Sequence, residues 1–361
     1  MRVLIVGAGP QALFMLRLYN RISDDIELVS LDKKVAAYSN IPIKVSHFET
    51  KEALAYFIRG NLTSDCLIRF AGGGEIQSIL EVAPEIFDQE NVQPNNLEAL
   101  KVFASKEDTY QKSEKLKIAT LPSIKLNELL FKGVEFEGPY LLKWNKENIN
   151  PLYNNFKTKI FTGVEELKLY VQEFDREACD KLIVQKYLKV DAGCNVSYLG
   201  YYNKGRHSFG MLGQQILQYP IGITAHLIEY QKNNKNKLVE AAITLVESVG
   251  IDGFSEVEFI IDPLTNKFYL LEVNPRPCGW SSALFGKFKN LSAMITDNEV
   301  AHVIHDDKVE WVNILRYFKA SISGGLYALV KAVIRVCFIK HYDVFSMSDL
   351  KPFFSQFKAK K

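Results

Sequence analysis

The stretch FYLLEVNPRPCGW, residues 268–280, sets an acid, an amide and a guanidinium at alternate positions: Glu272, Asn274 and Arg276. Strand side chains alternate faces, so these three project together while Val273 points the other way. Pro275 and Pro277 stiffen the exit. Just upstream, SEVEFIID puts Val257, Phe259 and Ile261 on one face and Glu256 and Glu258 on the other. The intervening DPLTN is a proline-led turn, which joins the two strands as a hairpin. Such a hairpin can bring Glu258, Glu272 and Asn274 together, because directly opposed cross-strand residues have Cβ atoms about 4.5–5.5 Å apart. Two carboxylates at ~4 Å repel by roughly 4 kcal/mol at an effective dielectric of about 20. A folded chain avoids this unless a cation lies between them or one acid keeps its proton. Two carboxylates and an amide oxygen are hard donors suited to Mg²⁺ that shares its other positions with phosphates and water. Arg276 offers a planar fork for a phosphate or carboxylate. The competing reading of these strands alone is a hairpin whose acids face solvent and pair with nearby lysines.

A second nucleotide signal lies at the other end of the chain. Gly7-x-Gly9-x-x-Ala12 stands between the strand RVLIV and the helical LFMLRLYNR, and Asp32 ends a second strand, IELVSLD. This resembles a dinucleotide-binding fingerprint, in which glycines admit a pyrophosphate to a helix N-terminus. The same glycine turn also serves plain strand–helix packing, and nothing downstream supplies a hydride-transfer site.

These residues need elements to position them. Strands alternating with helices to about residue 100 indicate an open α/β domain. A charged helical stretch follows, then the short strand PYLLKWN, its partner KTKIFTG and the helix VEELKLYVQEF. KLIVQKYLKV and NVSYLGYYNKG read as strands, with Asn203-Lys204-Gly205 a hairpin turn. A helix at KNKLVEAAITLVESVG precedes the acidic hairpin. The chain has 361 residues, 47% hydrophobic and 24% charged, with net charge +2, which fits a soluble protein of several subdomains and gives no reason to expect nucleic acid. Five widely spaced cysteines without a CxxC pair argue against a disulfide framework or a zinc ribbon. The five-residue apolar run of MRVLIVGAGP is shorter than a signal-peptide core, and the cytoplasm is the expected location. GGLYALVKAVIRVCFIK is interrupted by Lys331 and Arg335 and reads as an amphipathic or buried helix that covers the core, mediates a homodimer or touches a membrane surface.

With EVEFIID…FYLLEVNPRP in this order after PYLLKWN, KTKIFTGVEEL and LIVQKYL, the chain resembles the ATP-grasp superfamily, especially its carboxylate–amine ligases. The resemblance covers roughly residues 1–300, and LLEVNPRP is its most specific part. It implies an ATP-grasp fold, α/β and α+β in class, with an N-terminal Rossmann-like pre-ATP-grasp domain over 1–105. A small subdomain over 106–183, a large subdomain with the metal site over 184–300 and a mostly helical tail over 301–361 would follow. Glu258, Glu272 and Asn274 would be the Mg²⁺ ligands, and Arg276 would contact phosphate or the reacting acyl group. Lys143 and Lys159 would reach the ATP phosphates. Gln185, Lys186, Tyr187 and Leu188 would form the adenine hinge, with Tyr187 and Leu188 offering backbone groups, and Asp191 or Asn195 would meet the ribose. Gln215 and Tyr219 face either the substrate or a core hairpin.

The implied activity is an ATP- and Mg²⁺-dependent ligation: a small-molecule carboxylate becomes an acyl phosphate, and an amine then displaces phosphate to leave an amide. Such chemistry rests on positioning and electrostatics and needs no side-chain nucleophile. One departure stands out. Between Lys143 and Lys159 the family often has a glycine-rich flap, whereas this chain has the glycine-free NKENINPLYNNF. An oxidoreductase using NAD at the GAGPQA loop and an ATP-grasp fold retired to a binding module are the alternatives. The first would leave the acidic cluster unexplained, and the second has no reason to retain three metal-ligand types.

Overall fold

The computed structural model describes residues 1–146, 156–296, 303, 308–322 and 324–357. The N-terminal region is built on five parallel strands, β1 (Arg2–Val6), β2 (Asp25–Ser30), β3 (Lys44–His47), β4 (Cys66–Phe70) and β5 (Val92–Gln93), in the order β3-β2-β1-β4-β5. Val3 to Val6 are fully buried, as expected for a strand covered on both faces. Helices Pro10–Tyr19, Lys51–Arg59 and Gly73–Val82 supply the crossovers. Chain order reverses at β1, so the loops leaving β1 and β4 lie side by side at the carboxyl ends of the strands. Gly7 has φ +124°, and a Cβ placed there would lie 2.9 Å from the Gly72 backbone nitrogen. The glycines thus let two loops touch.

A second sheet contains β6 (Ser123–Lys125), β7 (Tyr140–Trp144), β8 (Thr158–Phe161) and β9 (Leu182–Lys186), antiparallel in the order β6-β9-β7-β8. Its own small core joins Leu129, Leu142, Phe161, Leu167, Val171 and Val184 under the helices on one face. The third sheet is the largest: β10 (Asn195–Asn203), β11 (Arg206–Gln218), β12 (Thr224–Glu229), β13 (Gly253–Ile261), β14 (Phe268–Asn274), β15 (Glu310–Val312) and β16 (His341–Tyr342). Their order is β14-β13-β10-β11-β12-β15-β16. Lys204 and Gly205, at φ +51° and +68°, make the tight β10–β11 turn that the sequence predicts at this asparagine–lysine–glycine step. Two hydrophobic clusters run from the parallel sheet into this large sheet; one joins Leu4, Phe70, Val257 and Leu270, the other Ile5, Phe14, Phe254 and Trp311.

The C-terminal segment contains the helices Ile314–Ile322 and Gly325–Phe338, and it also adds β15 and β16 to the large sheet. Helical periodicity dominates the sequence signal there, because strands of three and two residues are too short to show alternation. Asp349 fastens the segment to the N-terminal region: its carboxylate accepts from Arg17 Nη2 at 3.1 Å, Ser39 Oγ at 2.9 Å and the Asn40 N–H at 2.7 Å.

The loop contact at Gly7 makes a direct prediction. Gly7→Ala combines an unfavourable φ with a backbone collision, and it should destabilise the protein by about 1–3 kcal/mol, read as a lower urea midpoint at an unchanged m-value. A midpoint equal to wild type would contradict the close approach.

Candidate functional site

Strands β13 and β14 pair Glu258 with Glu272 and Glu256 with Asn274. A bulge follows, since Phe259 pairs with Leu270 and leaves Leu271 without an opposite residue. Tyr110, from the helix Lys106–Lys115, donates its hydroxyl to the Leu271 carbonyl at 2.7 Å. The amide of Asn274 sits among the acids, its Nδ2 lying 3.1 Å from Glu258, 3.3 Å from Glu272 and 3.4 Å from Glu256. Asn274 Oδ1 accepts from Arg276 Nη2 at 3.4 Å. The structure therefore brings Glu258, Glu272, Asn274 and Arg276 together.

Glu256 is a third acid that the sequence reading noted on this face without giving it a role. It is 6% exposed and accepts from Trp280 Nε1 at 2.9 Å. Its period-two spacing from Glu258 was the available signal. Burial raises the pKa of Glu256, against the pull of Arg276. Burial, then the charges of Glu256 and Glu272, push Glu258 well above the usual carboxylate range. Glu272 goes the other way. Burial alone would raise it, but Lys157, Lys106 and Lys143 outweigh that and hold it down to about 2. Among the described residues no group of three or more His, Cys, Asp or Glu side chains is arranged to hold a metal ion; the candidate ligand set is two carboxylates and an amide.

Lys143, on β7, is 6% exposed, and its ammonium donates to Tyr110 Oη at 2.7 Å and to Gln185 Oε1 at 2.9 Å. Burial brings it down to about 8, with Glu272 and Glu258 opposing the fall and Lys157 adding to it. Lys106 belongs to the same group: burial lowers its pKa, and its electrostatic neighbours are Glu272, Lys143 and Tyr110. The sequence reading missed Lys106. Its signal was a lysine in the first turn of a Ser105-capped helix, where the helix dipole disfavours positive charge.

Lys159 is not brought to this cluster. It pairs with Leu142 across β7 and β8 and therefore shares that residue's face, the one turned to the small core. Its ammonium lies 3.5 Å from the centroid of the Tyr170 ring. Lys143 is one residue further along β7 and points the opposite way.

The remaining predicted residues border this group. Gln185 is fully buried and braces Lys143, so its side chain supports an ammonium. The Lys186 N–H donates to the Pro122 carbonyl and the Tyr187 N–H to the Pro139 carbonyl, both at 2.8 Å; Leu188 follows, half-buried. Asp191 is exposed and opens a short 3₁₀ turn. Asn195 starts β10 opposite Ile260, two residues from the Ser197–Glu258 pair and hence on the Glu258 side of the sheet. Gln215 is buried against the Ser197 hydroxyl at 3.1 Å, and Tyr219 lies partly exposed at the end of β11. Asp32 pairs with Lys34 at 3.0 Å on the surface. Of the glycine-free flap, residues 147–155 lie outside the described residues.

The low pKa of Glu272 has a consequence for acid stability. A carboxylate at about 2 in the folded chain and near 4.5 in the unfolded one contributes stability that is complete above about 4.5 and is lost as pH falls toward 2. Glu272→Gln should therefore flatten the decline of the urea midpoint between pH 4.5 and 3. A decline as steep as wild type would show that the lysines do not act on this acid.

Residues 143–280 match the ATP-grasp domain family. An ADP complex of N5-carboxyaminoimidazole ribonucleotide synthetase superposes with a TM-score of 0.68 at 15% identity, over 93% of this chain and 85% of that one. The ADP-bound N5-carboxyaminoimidazole synthetase from Staphylococcus aureus gives 0.62 at 15% identity, over 79% and 73%. The L-amino acid ligase from Bacillus licheniformis gives 0.60 at 13% identity, over 82% and 73%. At these identities the likeness is one of fold. No curated protein matches the chain in sequence. Residues 143–280 thus match an ATP-grasp domain, and the chain as a whole has the fold of these ATP-grasp structures, with a Rossmann-like domain preceding the grasp.

Proposed function

We propose that the protein is an ATP- and Mg²⁺-dependent ligase that activates a carboxylate as an acyl phosphate and joins it to an amine. The observation that carries this reading is the register pairing of Glu258 with Glu272, flanked by Asn274 on one side and by Lys143 and Lys106 on the other. The ADP-bound synthetases and the amino acid ligase of like fold support it.

The residues fit a divalent cation. Burial first, then the charges of Glu256 and Glu272, push Glu258 toward its protonated form, and a bound cation would oppose that shift. The Asn274 amide has its NH₂ among the carboxylates, and a half-turn of its terminal torsion exchanges NH₂ for Oδ1 without moving the backbone. Glu258, Glu272 and Asn274 would hold Mg²⁺. Its chemistry there is neutralisation of phosphate charge.

The chain's own groups account for the rest. Lys143, aimed by Tyr110 and Gln185, and Lys106 would bind phosphate oxygens, Lys106 taking the place that the sequence reading assigns to Lys159. The Tyr187 N–H is engaged by Pro139, so the purine edge would meet the Tyr187 carbonyl and the Leu188 N–H, beside Lys186. Asn195 or Asp191 would take the ribose. Arg276 would hold the acid substrate as its carboxylate oxygen attacks the γ-phosphorus and the bond to ADP breaks. The amine then attacks the acyl carbon, phosphate leaves and one proton passes to solvent.

Calorimetric titration with a slowly hydrolysed ATP analogue tests this reading. Binding should require Mg²⁺ and disappear in Glu272→Gln, and ADP release with the correct substrates should fall about a hundredfold or more in Lys143→Met. NADH binding in the absence of any MgATP binding would overturn it. Because Lys143 loses its charge above about 8, affinity for the MgATP analogue should fall as pH rises through that value. The Lys143→Met variant should show no such step; a step at the same pH in that variant would assign it to another group.

A further inference from the structure

The helices Ile314–Ile322 and Gly325–Phe338 form a hairpin between β15 and β16. The second helix carries two apolar faces. Ala332 is buried, with Ala328, Leu329 and Val336 half-buried beside it toward the protein. At about 100° per residue, Leu326, Tyr327, Val330, Val333, Ile334 and Phe338 cover an arc of about 140° on the other side, and all six are exposed. Tyr327 and Phe338 are 81% and 79% exposed, and Ile322 extends the patch at the turn. Lys331 and Arg335 lie between the two faces. A contiguous outward apolar stripe of this kind marks an interaction surface.

The charge pattern specifies the partner. From Trp311 to Tyr342 the chain contains Arg316, Lys319, Lys331, Arg335 and Lys340 and no aspartate or glutamate, in a sequence whose charges otherwise nearly cancel. Arg335 pairs with Glu310 just outside this stretch. Lys319 and Lys331 are exposed and make no ion pair among the described residues.

We propose that this hairpin lies on an anionic lipid bilayer. The apolar arc enters the boundary between headgroups and acyl chains, while lysine and arginine stems run along it and leave their charges at the headgroups. Tyr327 and Phe338, at opposite ends of the helix and on the same edge of the arc, match the preference of aromatic rings for the interface. No helix among the described residues is long and apolar enough to cross a membrane, so the attachment is peripheral. An isologous contact with a second copy would press together two faces each flanked by the exposed Lys319 and Lys331, which electrostatics disfavours.

Flotation of the full chain, without nucleotide, on phosphatidylcholine vesicles with and without about one-third phosphatidylglycerol tests the proposal. Binding should require the anionic lipid, weaken with salt and fall about tenfold or more in Lys319→Glu/Lys331→Glu, whose exposed positions leave folding intact. Val330→Glu/Ile334→Glu should abolish binding while thermal melting and MgATP-analogue titration stay as in wild type. Failure to float with the anionic vesicles at low salt would overturn the proposal. So would light scattering that shows a dimer which the Val330→Glu/Ile334→Glu variant converts to a monomer, since the face would then belong to a second copy.

Discussion

Two glutamates facing each other across neighbouring strands are a standing electrostatic problem, and much of the structure around Glu258 and Glu272 answers it. A carboxylate pair at hydrogen-bonding range would splay a free hairpin apart. Here the hairpin is held from outside. Val257, Phe259, Leu270 and Val273, on the opposite face, are locked into a core that continues into the parallel sheet. Tyr110 caps the carbonyl freed by the bulge, and Trp280 fixes Glu256. The remaining imbalance is settled locally by the Asn274 amide and by the opposite shifts of the two acids.

That arrangement makes the site bipolar. Acids line the β13–β14 side, and cations from other elements face them: Lys143 from the small sheet and Lys106 from the helix after Ser105. Lys143 is held by a phenol and an amide, both neutral, so its charge is buried without a contact ion pair among the described residues. Burying it lowers its proton affinity, which is the cost of keeping an ammonium available for an anion. A ligand that is itself a polyanion carrying a cation complements both halves at once. Tyr110 couples the two sides, since one hydroxyl touches the lysine and the bulged strand.

What could be read in the sequence follows from which signals are local. The facing acids were legible because strand alternation and a two-strand turn fix their register within a few residues. Other local signals marked the buried parallel strand at Arg2–Val6, a continuous apolar run, and the tight turn at Lys204–Gly205, an asparagine–lysine–glycine step. Lys159 lies away from the acids, a placement not legible in the sequence because its face depends on the register of β8 against β7, which is set across a connection with no local signal of its own. Lys106 was overlooked because a charged helix start reads as solvated surface; only tertiary packing turns its side chain into the cluster. Glu256 was seen on the correct face, yet its partner Trp280 lies beyond two prolines whose path the sequence does not specify. The short strands of the C-terminal segment were hidden for the plain reason that two or three residues carry no period.

The large sheet also separates the two surfaces that matter. Its order runs from β14, which bears Glu272 and Asn274, to β15 and β16, which flank the exposed hairpin. Six strand intervals of ~4.8 Å put these edges about 29 Å apart. A hairpin rooted at both ends in sheet strands is held rigidly, and β16 is further tied to the N-terminal region because the Val344 carbonyl and Asp349, just beyond it, both accept from Arg17. An apolar arc on such a support cannot be folded back into the protein without breaking the strands that carry it. Attachment through that edge would leave the acid-lined edge facing away from the contact, open to the nucleotide of the proposed reaction.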